Sequence, residues 1–146
     1  MSEVLTLGTF DVPHAGHAYF LRRSEDFGNV SVGVNSDRFV QEYKGIKPIY
    51  TEKERLDIIA SLGYNAYLND GPGADLIKEL APNVITIGSE WYEKDYWEQL
   101  GVERSFFTDW DITLVFIPNR LASTTEIKQR LIGFGARQSE QETHSG

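Results

Sequence analysis

At its N-terminus the chain runs from a strand through a glycine-bounded turn into a helix, and that order restricts the fold more than any other feature. Val4-Leu5-Thr6-Leu7 is apolar and β-prone. Gly8-Thr9-Phe10-Asp11-Val12-Pro13-His14-Ala15-Gly16-His17 follows, and Ala18-Tyr19-Phe20-Leu21-Arg22-Arg23 reads as a helix. Open α/β sheets bind their ligands at such strand-to-helix turns. Gly16 lets backbone approach a ligand closely. His14 and His17 stand near a helix N-terminus, whose free N–H groups and partial positive charge suit a phosphate. Two imidazoles add donors to the same oxygens.

The remaining chain repeats the alternation. Val30–Val34, Tyr64–Leu68, Asn83–Ile87 and Ile112–Ile117 read as strands, with helical stretches between them. Gly28-Asn29 closes the first helix, and Thr51 with Glu54 forms a capping-box start for another. Right-handed crossovers would lay the strands parallel. The expected fold is α/β: a single doubly wound Rossmann-like domain with a parallel five-stranded sheet. Residues 1–132 make the domain. The polar residues 133–146 form a tail expected to be disordered, and His144 within it is no catalyst.

Composition narrows the function. A net charge of −8 disfavours general nucleic-acid binding but not a nucleotide, for which a few local cations suffice. The absence of cysteine excludes disulfides, thiolate metal sites and a cysteine nucleophile, and fits a cytoplasmic location. Neither a signal peptide nor an apolar run of membrane-spanning length is visible, so no membrane partner is expected.

The Gly-Thr-Phe-Asp-x-x-His-x-Gly-His pattern of residues 8–17 resembles the signature of the HxGH nucleotidyltransferase superfamily. Its Gly-Thr-Phe-Asp opening is similar to the cytidylyltransferases that activate phospho-alcohols, such as the glycerol-3-phosphate enzymes. By that resemblance His14, His17, Lys44 and Arg120 are the catalytic group, holding phosphates. Gly8, Thr9, Phe10, Gly16, Gly88, Glu90, Ser123, Thr124 and Thr125 are the nucleotide-binding group. Asp11, Lys47 and Arg55 are expected on the acceptor. The plainer alternatives are solvated lysines on the Lys44–Tyr50 loop, an exposed helix arginine at Arg55, and a simple helix cap at Asn35-Ser36-Asp37. Ser123-Thr124-Thr125 matches the family's terminal hydroxyl run, with Arg120 two residues nearer to it than usual. Gly88-Ser89-Glu90-Trp91 resembles the family's Gly-Asp-Asp-Trp. Glu90 there could accept from the exocyclic amine of cytosine or adenine.

The family's acceptor-side arginine, aspartate and tryptophan are replaced by Gly63, Ala66 and Ala74, so the acceptor is not named by the resemblance. The implied reaction is transfer of CMP from CTP to a small phosphorylated alcohol, with pyrophosphate released. Mg²⁺ would come with the triphosphate, and no protein metal site is expected. An adenylyltransferase using ATP on a phospho-sugar, or a non-catalytic nucleotide-binding module, stays open. The aromatics Trp97, Phe106, Phe107 and Trp110 suggest a partner surface, and the resemblance implies a homodimer.

Overall fold

The computed structural model describes residues 2–12, 14–118 and 129–133. Five strands form one parallel sheet: β1 (Glu3–Gly8), β2 (Asn29–Asn35), β3 (Asn65–Asn69), β4 (Val84–Gly88) and β5 (Thr113–Ile117). The spatial order is β3-β2-β1-β4-β5. The first strand therefore lies at the centre. The chain winds outward from it through β2 and β3, crosses back, and builds β4 and β5 on the other side.

Helices cover both faces: α1 (Ala15–Ser24), α2 (Asp37–Lys44), α3 (Glu52–Ser61), α4 (Ala74–Leu80), α5 (Tyr96–Leu100) and α6 (Phe106–Asp109). Their ends follow local chemistry. Thr51 and Glu54 close a capping box on α3, and Ser36 caps α2 by accepting from the Phe39 N–H. Gly45 ends α2 in the left-handed conformation at φ 74°, which a side chain would strain.

The alternation of β1 sends successive side chains to opposite faces. Val4 joins Leu21, Val30, Val32, Val34 and Ile59 in one core, while Leu5 joins Ile77, Ile85, Ile87 and Leu100 in the other. The aromatics of residues 92–111 belong largely to the second core. Phe106 and Phe107 are buried within it, and Trp97 packs against it. The expected partner surface is thus largely turned into the core. Tyr92, at 75%, and Trp110, at 42%, are the exposed aromatics of that stretch. Among the described residues no helix is long and apolar enough to cross a membrane.

Candidate active site

The strand order reverses at β1, because β2 lies on one side of it and β4 on the other. Chains leaving neighbouring strands in opposite directions open a crevice at the carboxyl ends of those strands. A cavity of about 450 Å³ occupies that position. Its floor is the Gly8–His17 turn. One wall carries Tyr43, Lys44 and Lys47; the other carries Gly88, Glu90, Trp91 and Ile117.

His14 does two things at the floor. Its backbone is extended and its Nδ1 accepts from the Gly16 N–H at 2.9 Å, so it caps α1. A neutral ring with an accepting Nδ1 carries its proton on Nε2, which makes Nε2–H the ring's donor. His17, one helical turn on, lies against it in a stacked arrangement. Burial lowers the His17 pKa to about 4, the charge of His14 adds to the fall, and Asp11 opposes it. Burial lowers His14 as well. At neutral pH both rings are therefore uncharged donors, and an anion arriving there would raise both pKa values.

The turn is strained. Phe10 at φ 53° and Val12 at φ 48° occupy the left-handed region, which a β-branched residue rarely enters. Gly8 makes room for this path, because a Cβ there would lie 2.9 Å from the Phe10 ring. The ring in turn meets His17 edge-on at 5.4 Å. Asp11 holds the turn from below. Its carboxylate accepts from the N–H groups of Ile49 at 2.8 Å, Tyr50 at 3.0 Å and Val12 at 3.1 Å.

Of the expected acceptor ligands, Arg55 is corrected and Asp11 is tied to a neighbouring loop. Asp11 lines the cavity but is committed to the Lys44–Tyr50 loop by these bonds. Arg55 is neither an exposed helix arginine nor part of the cavity lining. It is 0% exposed and donates to the Thr9, Asn35 and Tyr50 carbonyls and to Asp37. A guanidinium without water must spend its donors on such partners. The Asn35-Ser36-Asp37 triplet is accordingly structural at its last two residues: Ser36 caps α2 and Asp37 pairs with Arg55 at 2.7 Å.

The structure brings together Gly8, Thr9, Phe10, Asp11, His14, Gly16, His17, Lys44, Lys47, Gly88 and Glu90 around one cavity. The Glu90 carboxylate folds back over Gly88, where any Cβ would collide with it. Trp91 faces the cavity and leans on the core beneath. Asn35, the first residue of the triplet read as a helix cap, also lines the space, as does Tyr43, which was not singled out from sequence. Tyr43 lies under the Lys44 ammonium at 5.5 Å, and this aromatic–lysine neighbourhood on the last turn of α2 was the available signal. Arg120, Ser123, Thr124 and Thr125 lie outside the described residues. The strand leading to them ends at Ile117-Pro118 on the cavity rim.

Comparison with known proteins agrees with this fold. A model of cytidylyltransferase-like proteins matches residues 5–130. The bifunctional protein HldE of Campylobacter curvus (strain 525.92) is 36% identical over 97 residues, covering 63% of this chain and 21% of that protein. The bifunctional protein HldE of Helicobacter pylori (strain Shi470) gives the same identity and coverage. The chain thus spans about a fifth of the length of these curated relatives. Among solved structures, a lipopolysaccharide core biosynthesis protein from Thermoplasma volcanium GSS1 superposes with a TM-score of 0.64 at 27% identity, over 84% of this chain and 99% of that one. A protein of unknown function from Archaeoglobus fulgidus shares the fold, with a TM-score of 0.57 at 19% identity over 84% of this chain and 93% of that one.

Proposed function

Because the chain belongs to the cytidylyltransferase-like family, we propose that it is a nucleotidyltransferase that joins the nucleotidyl group of ATP or CTP to a small phosphorylated sugar or polyol. The observation that carries this reading is the stacked His14–His17 pair at the N-terminus of α1, across one cavity from the wall bearing Lys44 and Lys47. Neutral imidazole donors, ammonium groups and a helix N-terminus together suit a polyphosphate. The shift from a glycerol-3-phosphate-like acceptor toward a phospho-sugar is supported by the Thermoplasma relative, described as a lipopolysaccharide core biosynthesis protein.

An oxygen of the acceptor phosphate attacks the α-phosphorus of the triphosphate. The bond from that phosphorus to the oxygen bridging to the β-phosphate breaks, and pyrophosphate leaves with that oxygen. The acceptor phosphate is already ionised at neutral pH, so the protein supplies no general base or nucleophile. It aligns two anions and stabilises charge developing on the leaving phosphates. His14 and His17 donate to the triphosphate, while Lys44 and Lys47 offset the charge that two anions bring together. Arg120 with Ser123, Thr124 and Thr125 is proposed to complete the phosphate site from the β5 side.

Glu90, which lines the cavity, is proposed to accept from an exocyclic amine of the base, a group present on adenine and cytosine and absent from uracil. Among the described residues no group of three or more His, Asp or Glu side chains could cage a metal ion. Mg²⁺ carried by the triphosphate oxygens and water is part of the proposal, where it would neutralise phosphate charge. The test is a matrix of ATP, CTP, GTP and UTP against phosphorylated sugars, glycerol 3-phosphate and related polyols, read as pyrophosphate release. Turnover with ATP or CTP and one acceptor class is expected. Nucleotide binding with no turnover across the matrix would replace the enzyme with a binding module.

A further inference from the structure

Between β2 and α3 the chain leaves the sheet as α2, turns at Gly45 and returns through Pro48 to Tyr50. This strap supplies Tyr43, Lys44 and Lys47 to the cavity wall. Its two ends meet beneath the cavity. The Asp37 N–H donates to Glu52 Oε1 at 3.2 Å, and the Glu52 N–H donates to Asp37 Oδ2 at 3.2 Å, so the first residues of α2 and α3 bond reciprocally. Arg55 lies at that junction. Its Nη2 donates to Asp37 Oδ1 at 2.7 Å and its Nε donates to the Tyr50 carbonyl at 3.1 Å, gripping both ends of the strap. Its Nη1 donates to the carbonyls of Thr9 and Asn35, each at 2.7 Å, gripping the turn that carries His14 and His17 and the end of β2. Asp11 adds a second tie, from that same turn to the Ile49 and Tyr50 N–H groups.

We propose that Arg55 is a positioning residue: through these bonds it sets the lysine-bearing strap at a fixed distance from the histidine turn, so that both reach one polyphosphate. It touches no substrate. The inference rests on reading the cavity as a phosphate site, and it assigns control of that site to a residue behind it. A buried ion pair on its own roughly breaks even against apolar packing, so stability is a poor account of a wholly buried arginine. The choice of partners supplies a better one. The four acceptors come from the histidine turn, the end of β2 and both ends of the strap, which are the segments whose spacing a phosphate chain would measure. Lysine at this position keeps the charge but has no planar fork to span acceptors lying in different directions.

The test is a double-mutant cycle on the full chain with inorganic tripolyphosphate as the probe, which needs neither the base nor the acceptor. Arg55→Lys should weaken tripolyphosphate binding about tenfold, as expected when a geometric fork is replaced by a point charge. In a Lys44→Ala/Lys47→Ala background the same change should cost less than about twofold, because a residue acting through the lysines has nothing left to position. Asp11→Asn, which leaves Arg55 in place, gives a second route should Arg55→Lys fail to fold. It should speed amide hydrogen exchange at Ile49 and Tyr50 and weaken the probe through the same lysines. Equal losses with and without the lysines would show Arg55 to be structural only, and would overturn the proposal while leaving the phosphate site standing. A wild-type protein that ignores tripolyphosphate would overturn both. Coupled losses together with no turnover on any acceptor would keep the strap and remove the enzyme.

Discussion

The imidazoles of His14 and His17 stack with their centroids 4.1 Å apart and their planes 27° from parallel. Two rings so close resist protonation together, and the fall of the His17 pKa to about 4 expresses that repulsion on top of burial. The pair is thus uncharged at neutral pH, and the proposed polyphosphate would meet neutral donors rather than a standing positive charge.

That arrangement ties stability to pH with a definite sign. The unfolded chain takes up a proton on this histidine near 6.5, whereas the folded chain resists until about 4. Between those values the unfolded state binds more protons, so stability is full above the unfolded pKa and falls as pH drops through the window. Urea unfolding of the wild type should lose on the order of 2 kcal/mol between pH 7.5 and pH 5 from this group. His17→Ala should flatten that part of the profile, and an unchanged slope would place the titration elsewhere.

Anion binding should reverse the shift. A polyphosphate beside the rings favours their charged forms, so binding near pH 6 should take up protons, approaching about one per site. Calorimetry with tripolyphosphate in buffers of different ionisation enthalpy measures this directly. His17→Ala should take up clearly less. Equal uptake by both proteins would mean that the rings do not meet the anion.

The two duties of His14 can be separated. His14→Ala removes the cap on the Gly16 N–H and should cost about 1 kcal/mol of stability. His14→Asn restores a capping oxygen and should recover most of that loss. Neither variant should recover turnover, which is expected to fall about a hundredfold with loss of a transition-state donor. Thermal melts and pyrophosphate release on the three proteins check both halves. An active His14→Asn enzyme would reduce the histidine to a cap.

Discrimination among bases should reside in Glu90. Glu90→Ala removes the carboxylate that covers Gly88, and should lower the preference for ATP or CTP over UTP by about tenfold, the worth of one good hydrogen bond to a charged acceptor. The ratio of kcat/KM values across the nucleotides gives the answer. An unaltered ratio would move base recognition to the backbone.

Much of this was legible in the chain. The strand-to-helix turn, the capping box at Thr51 and Glu54, and the five strands follow from local chemistry that acts within a few residues, and they stand where expected. Arg55 was not legible. One turn into α3, it has the pattern of a solvated helix residue, and the Thr9 and Asn35 carbonyls that engage it are distant in sequence. The aromatics of 92–111 misled for a different reason. Helices α5 and α6 span five and four residues, too short to display a 3.6-residue period, so an inward-facing set looked unordered. The position of β4 beside β1 also has no local signal, because parallel partners are chosen by packing across the whole sheet.

The central place of the first strand has a consequence for how the molecule is made. As the chain emerges, β1, β2 and β3 can pair as soon as Asn69 is available, and the histidine turn, the strap and Arg55 all lie within that span. The opposite rim, with Gly88 and Glu90, can only be added to an edge of β1 that has stood open meanwhile. An unpaired central strand is the exposure that invites wrong partners during synthesis. The topology thus lets one wall of the cavity form before the other, and the rim proposed to read the base joins a surface already in place.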